Sequence, residues 1–153
     1  MSARPSHRAR ARWLALAGVW VATACSQPSS GPLPIAWGRD ACAHCSMAIS
    51  DPRFAAEVRF GPHEVARFDD FGCAVVWLAE QALAGPEVEI WVMDQDREEW
   101  LDARAARYRP EQRTPMAWGF GAVAAGEPGA VDFEAARRIL QEHARERASR
   151  GGS

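Results

Sequence analysis

The segment Ala55-Ala56-Glu57-Val58-Arg59-Phe60-Gly61-Pro62-His63-Glu64-Val65-Ala66-Arg67-Phe68-Asp69-Asp70-Phe71 decides the reading of the fold. From 55 to 60 the residues alternate, with Ala56, Val58 and Phe60 on one side and Glu57 and Arg59 on the other. That period of two is the mark of a strand. Gly61-Pro62-His63 interrupts the pattern and Glu64 to Phe68 resumes it, so the stretch predicts a hairpin. Asp69 and Asp70 offer N-caps for a helix to about Leu83, with Phe71, Ala74, Val75, Leu78 and Ala82 at helical spacing. Gly85-Pro86 supplies the stop.

The pattern returns further along. Val88, Ile90 and Val92 alternate against Glu89, Trp91 and Met93, and Asp94-Gln95-Asp96 turns the chain. Trp100 to Tyr108 fits either a strand or a short helical turn, and Trp118 to Val123 predicts another strand. Asp132 caps a last helix whose buried stripe is Phe133, Ala136, Ile139 and Leu140. Strands followed by a helix that starts at Asp thus occur twice. The expected class is α+β: two small related ββα-type modules packed together, antiparallel strands each followed by a helix. The modules are placed at 36–85 and 86–148, with a disordered tail at 149–153. Units of this size must share or abut a core to be stable.

The first 24 residues read differently. Arg4, His7, Arg8, Arg10 and Arg12 form a basic start, and Trp13 to Val21 form an apolar run too short for an ordinary membrane span. This is the pattern of a secretory signal. It ends at Val21-Ala22-Thr23-Ala24-Cys25, and a polar Ser/Pro stretch follows. Small residues before a cysteine resemble a bacterial lipobox, although Ala22 stands where Leu is usual. The expectation is a signal peptide at 1–24, lipidation at Cys25 and a flexible linker through residue 35. Ordinary cleavage with an incidental Cys25 is the alternative. Without the leader the chain holds 14 Arg against 20 acidic residues, which argues against nucleic acid as a partner.

Asp40-Ala41-Cys42-Ala43-His44-Cys45-Ser46-Met47 is the chemically dense stretch. Thiolate and thioether sulfur select Cu(I), whereas zinc takes Cys, His and carboxylate. In an extended backbone Cys45 and Met47 would share a face, and His44 would point away. With Cys25 set aside, Cys42, Cys45 and Cys73 remain. An odd count in an oxidising compartment leaves one thiol free, metal-bound or paired between chains. Cys73, in the first turn of the first helix, reads first as a small buried hydrophobe and second as a ligand.

Cys42-x-x-Cys45-x-Met47, Phe68-Asp69-Asp70, Glu99-Trp100-Leu101-Asp102-Ala103 with Ala106 and Tyr108, and Thr114-Pro115-Met116 together resemble the NosL family of nitrous oxide reductase accessory lipoproteins. The resemblance covers roughly residues 36–140. It implies a periplasm-facing, membrane-anchored copper(I) chaperone, not an enzyme, that helps assemble the copper centres of nitrous oxide reductase in denitrification. Implied partners are the apo reductase or its assembly machinery and the membrane, the outer one favoured slightly by Ser26. Ser46 departs from the family, which commonly has Gly there. Serine tolerates an extended backbone, but a left-handed one would be disfavoured.

The site expected from these readings binds Cu(I) through Cys45 and Met47. Its third ligand is to be chosen from Met116, His63, His44 and Cys42, with Met116 preferred over His63 because it would bridge the two modules. Trp118, beside Met116, is a candidate shield against water. Two other functions remain open: a thiol-disulfide oxidoreductase using Cys42 and Cys45, and an envelope lipoprotein whose sulfur atoms are incidental.

Overall fold

A computed structural model of the protein describes residues 30–151. The expected signal peptide and the lipidation site Cys25 lie outside the described residues.

The hairpin forms as β1 (Ala56–Arg59) and β2 (Val65–Phe68), paired antiparallel with Ala56 opposite Phe68. Asp70 then caps helix α1 (Phe71–Glu80), its carboxylate accepting from the Gly72 N–H at 3.0 Å. The helix ends a little before Leu83, where Ala82 takes a positive φ. After Gly85-Pro86 the chain forms β3 (Glu89–Met93) and β4 (Trp100–Asp102). The ambiguous stretch 100–108 is two strands separated by a turn, since β5 (Arg107–Arg109) pairs instead with β6 (Gly121–Val123). Helix α2 (Phe133–Gly151) closes the described chain, with the Asp132 carboxylate accepting from the Ala135 N–H at 2.8 Å.

The α+β class holds, with antiparallel strands preceding a helix in each half. The strands of the two halves merge into one sheet, in the order β2-β1-β3-β4, because β1 pairs with β3. The second half also carries the separate β5-β6 pair. Helix α1 covers one face of the sheet, and α2 packs against α1 and β5. Val58, Ile90, Val92, Phe68 and Val75 fill that layer, with Ala136 and Leu140 from α2. Phe71 stacks on Tyr108 at 4.3 Å between ring centroids, and the Tyr108 hydroxyl donates to the Ala103 carbonyl.

Three expectations need correction. Residues 31–35 are not a free linker: Leu33 and Ile35 are buried, and the Gly31 and Leu33 N–H groups donate to Glu89 and Glu57 at 2.8 Å each. Their alternating apolar side chains, and carboxylates on the sheet that need donors, explain the ordering. The strand expected over 118–123 begins only at Gly121, because Trp118 and Gly119 are drawn into a coil around Thr114. The last helix also runs past residue 148 to Gly151, helped by Ser149 and Arg150 bonding back to Glu146.

The two halves approach closely at Gly72. A Cβ built there would lie 2.0 Å from Cγ of Trp118, so only glycine admits the indole against the first turn of α1. Gly72→Ala is expected to destabilise the protein by about 1–3 kcal/mol, the usual cost of overpacking, measured by denaturant unfolding. An unchanged midpoint would show that Trp118 does not seat here.

Candidate metal centre

The sulfur-bearing stretch is a tight loop, not a strand. Ala41 and Ala48 form a bridge that closes it. Inside, the Cys42 N–H donates to the Met47 carbonyl at 2.8 Å, and the Ser46 N–H donates to the Cys42 carbonyl at 2.9 Å. The Ala43 N–H donates to the Arg67 carbonyl at 2.8 Å, which fastens the loop to β2, the edge strand. This corrects the expectation from sequence: the extended backbone on which Cys45 and Met47 would share a face is absent. Ser46 sits at φ 64°, the left-handed region, where the chain reverses.

The loop sets Cys42 and Cys45 against the junction of β2 and α1. Asp69 immediately follows β2, and Cys73 lies in the first turn of α1. One ligand atom from each of Cys42, Cys45, Asp69 and Cys73 lies within 4.8 Å of the others. In a filled thiolate site, metal–sulfur bonds of about 2.3 Å put sulfurs about 3.8 Å apart, so a modest contraction completes the cage. Cys42, Cys73 and Asp69 are buried, whereas Cys45 is partly exposed and forms the mouth.

The protons in this cluster are unevenly held. Cys42 feels the neighbouring Cys73 thiol first, and then the backbone amides of Cys45 and Asp69. Those neighbours, led by Cys73, pull the Cys42 thiol down to about 4 against the opposing effect of burial. Cys73 moves up in return, through its bond to Cys42 and through burial. Burial also pushes Cys45 up to about 11, and its sulfur lies 3.5 Å and 3.6 Å from the two Asp69 oxygens. Asp69 is raised to about 6, chiefly by burial and then by Cys42. Among the described residues no salt bridge reaches Asp69. With no cationic side chain paired to the cluster, Cys45 and Cys73 retain their protons until a cation replaces them.

The second half of the chain covers the cluster. Thr114 donates its hydroxyl to Asp70, and the Met116 N–H donates to the same carboxylate oxygen at 3.1 Å. The Thr114 oxygen accepts in turn from the N–H groups of Trp118 and Gly119. This coil places the Trp118 indole N–H 3.3 Å from the Cys73 sulfur. From α2, Arg147 lies over the Trp118 ring at 4.0 Å and donates to the carbonyls of Met116 and Ala117. The shielding role expected of Trp118 fits its place.

Of the residues expected at the site, Cys42 and Cys45 come together. Met47 is 57% exposed, so its thioether lies at the surface. Met116 is half-buried in the covering loop. His63 is exposed at the hairpin turn and is no member of the cluster. His44 turns toward Glu80, with Nδ1 3.4 Å from its carboxylate. Asp69 was not among the expected ligands, and Cys73 was read first as a buried hydrophobe and only second as a ligand. A signal for Cys73 existed in the odd thiol count, and Asp69 was hidden by its resemblance to a helix cap.

No protein-family model matches this sequence, and no curated protein matches it. Among solved structures, the copper chaperone NosL from Shewanella denitrificans superimposes with a TM-score of 0.51, covering 76% of this chain and 89% of that one. The two share a fold. Sequence identity is 15%, so the likeness to NosL is one of architecture. The cluster fits a metal ion through its own geometry and donor set.

Ser46 gives the loop a local test. A left-handed serine costs about 1–2 kcal/mol that glycine largely avoids, partly offset by glycine's greater loss of freedom on folding. Ser46→Gly is expected to stabilise the metal-free protein by about 1 kcal/mol in thermal unfolding. Destabilisation would mean that the loop is extended at this position.

Proposed function

We propose that this chain is a copper(I) carrier of the bacterial cell envelope, of the NosL kind. The observation that carries the reading is the convergence of three thiols from two separate segments on one partly open position. Three sulfur donors suit a soft monovalent ion, and the hard Asp69 carboxylate then serves as acceptor of the Cys45 proton rather than as ligand. Cys42, Cys45 and Cys73 hold the ion. Met47, exposed at the mouth, is the neutral thioether through which it enters and leaves.

Transfer proceeds by associative exchange. An incoming donor from a receiving protein adds at the open side, Cys45 or Met47 releases, and the ion moves without becoming free. The receiver we infer is apo nitrous oxide reductase or its assembly machinery. Lipidation of Cys25 would tether the carrier to the envelope, facing the periplasm and in the outer membrane. Among the described residues no helix is long and apolar enough to cross a membrane.

An oxidoreductase reading fits less well. Such enzymes expose a thiol of lowered pKa at a helix start. Here the lowered thiol, Cys42, is buried, and the accessible one, Cys45, is raised. Zinc is the second reading, because Asp69 would complete a three-cysteine, one-carboxylate tetrahedron.

Anaerobic Cu(I) titration of the mature protein against a chromogenic Cu(I) chelator tests this. One ion per monomer is expected. Cys45→Ser and Cys73→Ser should each weaken binding at least about tenfold, as expected for loss of an anionic donor, and Met47→Leu less. Wild-type affinity in Cys45→Ser would overturn the assignment. Stoichiometric displacement of Cu(I) by Zn(II) would favour the zinc site.

A further inference from the structure

Three thiolates around one Cu(I) carry a net charge of −2 in a largely buried place. Such a charge is costly unless donors face it. The cluster meets the need with N–H groups. The backbone amides of Cys45 and Asp69 favour the Cys42 thiolate, and that of Met47 favours the Cys45 thiolate. These three are backbone groups, placed by the loop itself. Cys73 receives the indole N–H of Trp118 at 3.3 Å, which comes from a side chain 45 residues away.

Trp118 is held in that pose from three directions. Its backbone N–H is bound by Thr114, its ring lies beneath the Arg147 guanidinium at 4.0 Å, and its edge enters the space left by Gly72. The side chain is only 6% exposed. Simple packing would need the ring but not the direction of its N–H.

We propose that Trp118 is a positioning residue for the metal, whose indole N–H holds Cys73 in the ligand set as an anionic sulfur. The proposal rests on the copper-carrier reading and deepens it. It gives the second half of the chain a specific role, because β6, the coil around Thr114 and the end of α2 deliver one hydrogen-bond donor to one sulfur of the first half. Hydrogen bonds to charged groups are the strong ones, and this one strengthens when Cys73 loses its proton to the metal.

The test is Cu(I) affinity of the full-length mature protein, measured by chelator competition for wild type, Trp118→Phe, Cys73→Ala and the double variant. Phenylalanine keeps most of the ring and removes the N–H. Trp118→Phe should bind Cu(I) roughly tenfold to a hundredfold more weakly, the effect of losing one hydrogen bond to a charged group. In the Cys73→Ala background the same substitution should have little further effect, because the two residues act as a unit. A purely structural role would give the same loss in both backgrounds and overturn the proposal. Equal affinity of wild type and Trp118→Phe would overturn it while leaving the carrier reading intact. Absence of Cu(I) binding by wild type would overturn both. Should Trp118→Phe not fold, the indole proton resonance of the metal-free wild type decides. A shift of that resonance in Cys73→Ala supports the bond, and an unmoved resonance rejects it.

Discussion

The Asp70 carboxylate accepts from the Gly72 N–H, the Thr114 hydroxyl and the Met116 N–H, and these bonds fix the start of α1 to a loop more than forty residues later. A buried carboxylate left without such donors would be costly, which is the same as saying that the loop cannot leave cheaply. Burial nonetheless raises Asp70 against the lowering effect of its three donors. Everything at the sulfur cluster follows from this junction. It aims Cys73 inward from the first turn of the helix and seats Trp118 over it. It also leaves Asp69, one residue earlier, facing the loop that carries Cys42 and Cys45.

The chemistry of that cluster is a matter of charge. Three thiols and a carboxylate cannot all ionise freely side by side in a buried space, so the metal-free site stores protons on Cys73 and Cys45, keeps Cys42 as the natural thiolate and leaves the Asp69 carboxylate to accept from Cys45. A cation entering the site displaces those protons, and one leaving must be replaced by them. The exposed position of Cys45 and Met47 puts this exchange at the surface, where a receiving protein can reach it. A closed cage would hold the ion more firmly and deliver it less readily.

Much of the architecture was legible in the sequence because local patterns agreed with the fold. The alternation at 55–68 and the cap at Asp70 survive with small shifts of boundary, and of the expected stripe Phe133, Ala136 and Leu140 are buried while Ile139 faces outward, 38% exposed. What local pattern could not reveal was the merging of the halves into one sheet through β1 and β3, a pairing of distant segments. The site was half legible. Cys42 and Cys45 announce themselves by spacing, but Cys73 looks like a core residue until the helix start is placed against the loop. Asp69 could not be told from Asp70 as a cap, because both precede the same helix. Ser46 misled in the other direction: reading it as extended backbone put Met47 beside Cys45, whereas its left-handed turn carries Met47 out to solvent.

The central claim is that three sulfurs, from Cys42, Cys45 and Cys73, surround one copper ion. X-ray absorption at the copper edge of the Cu(I)-loaded mature protein tests it most directly. Three sulfur scatterers in the first shell are expected, falling to two in Cys73→Ser, with no oxygen or nitrogen at bonding distance. A first shell that contains a nitrogen or oxygen scatterer, or a sulfur count that Cys73→Ser leaves unchanged, would contradict the account.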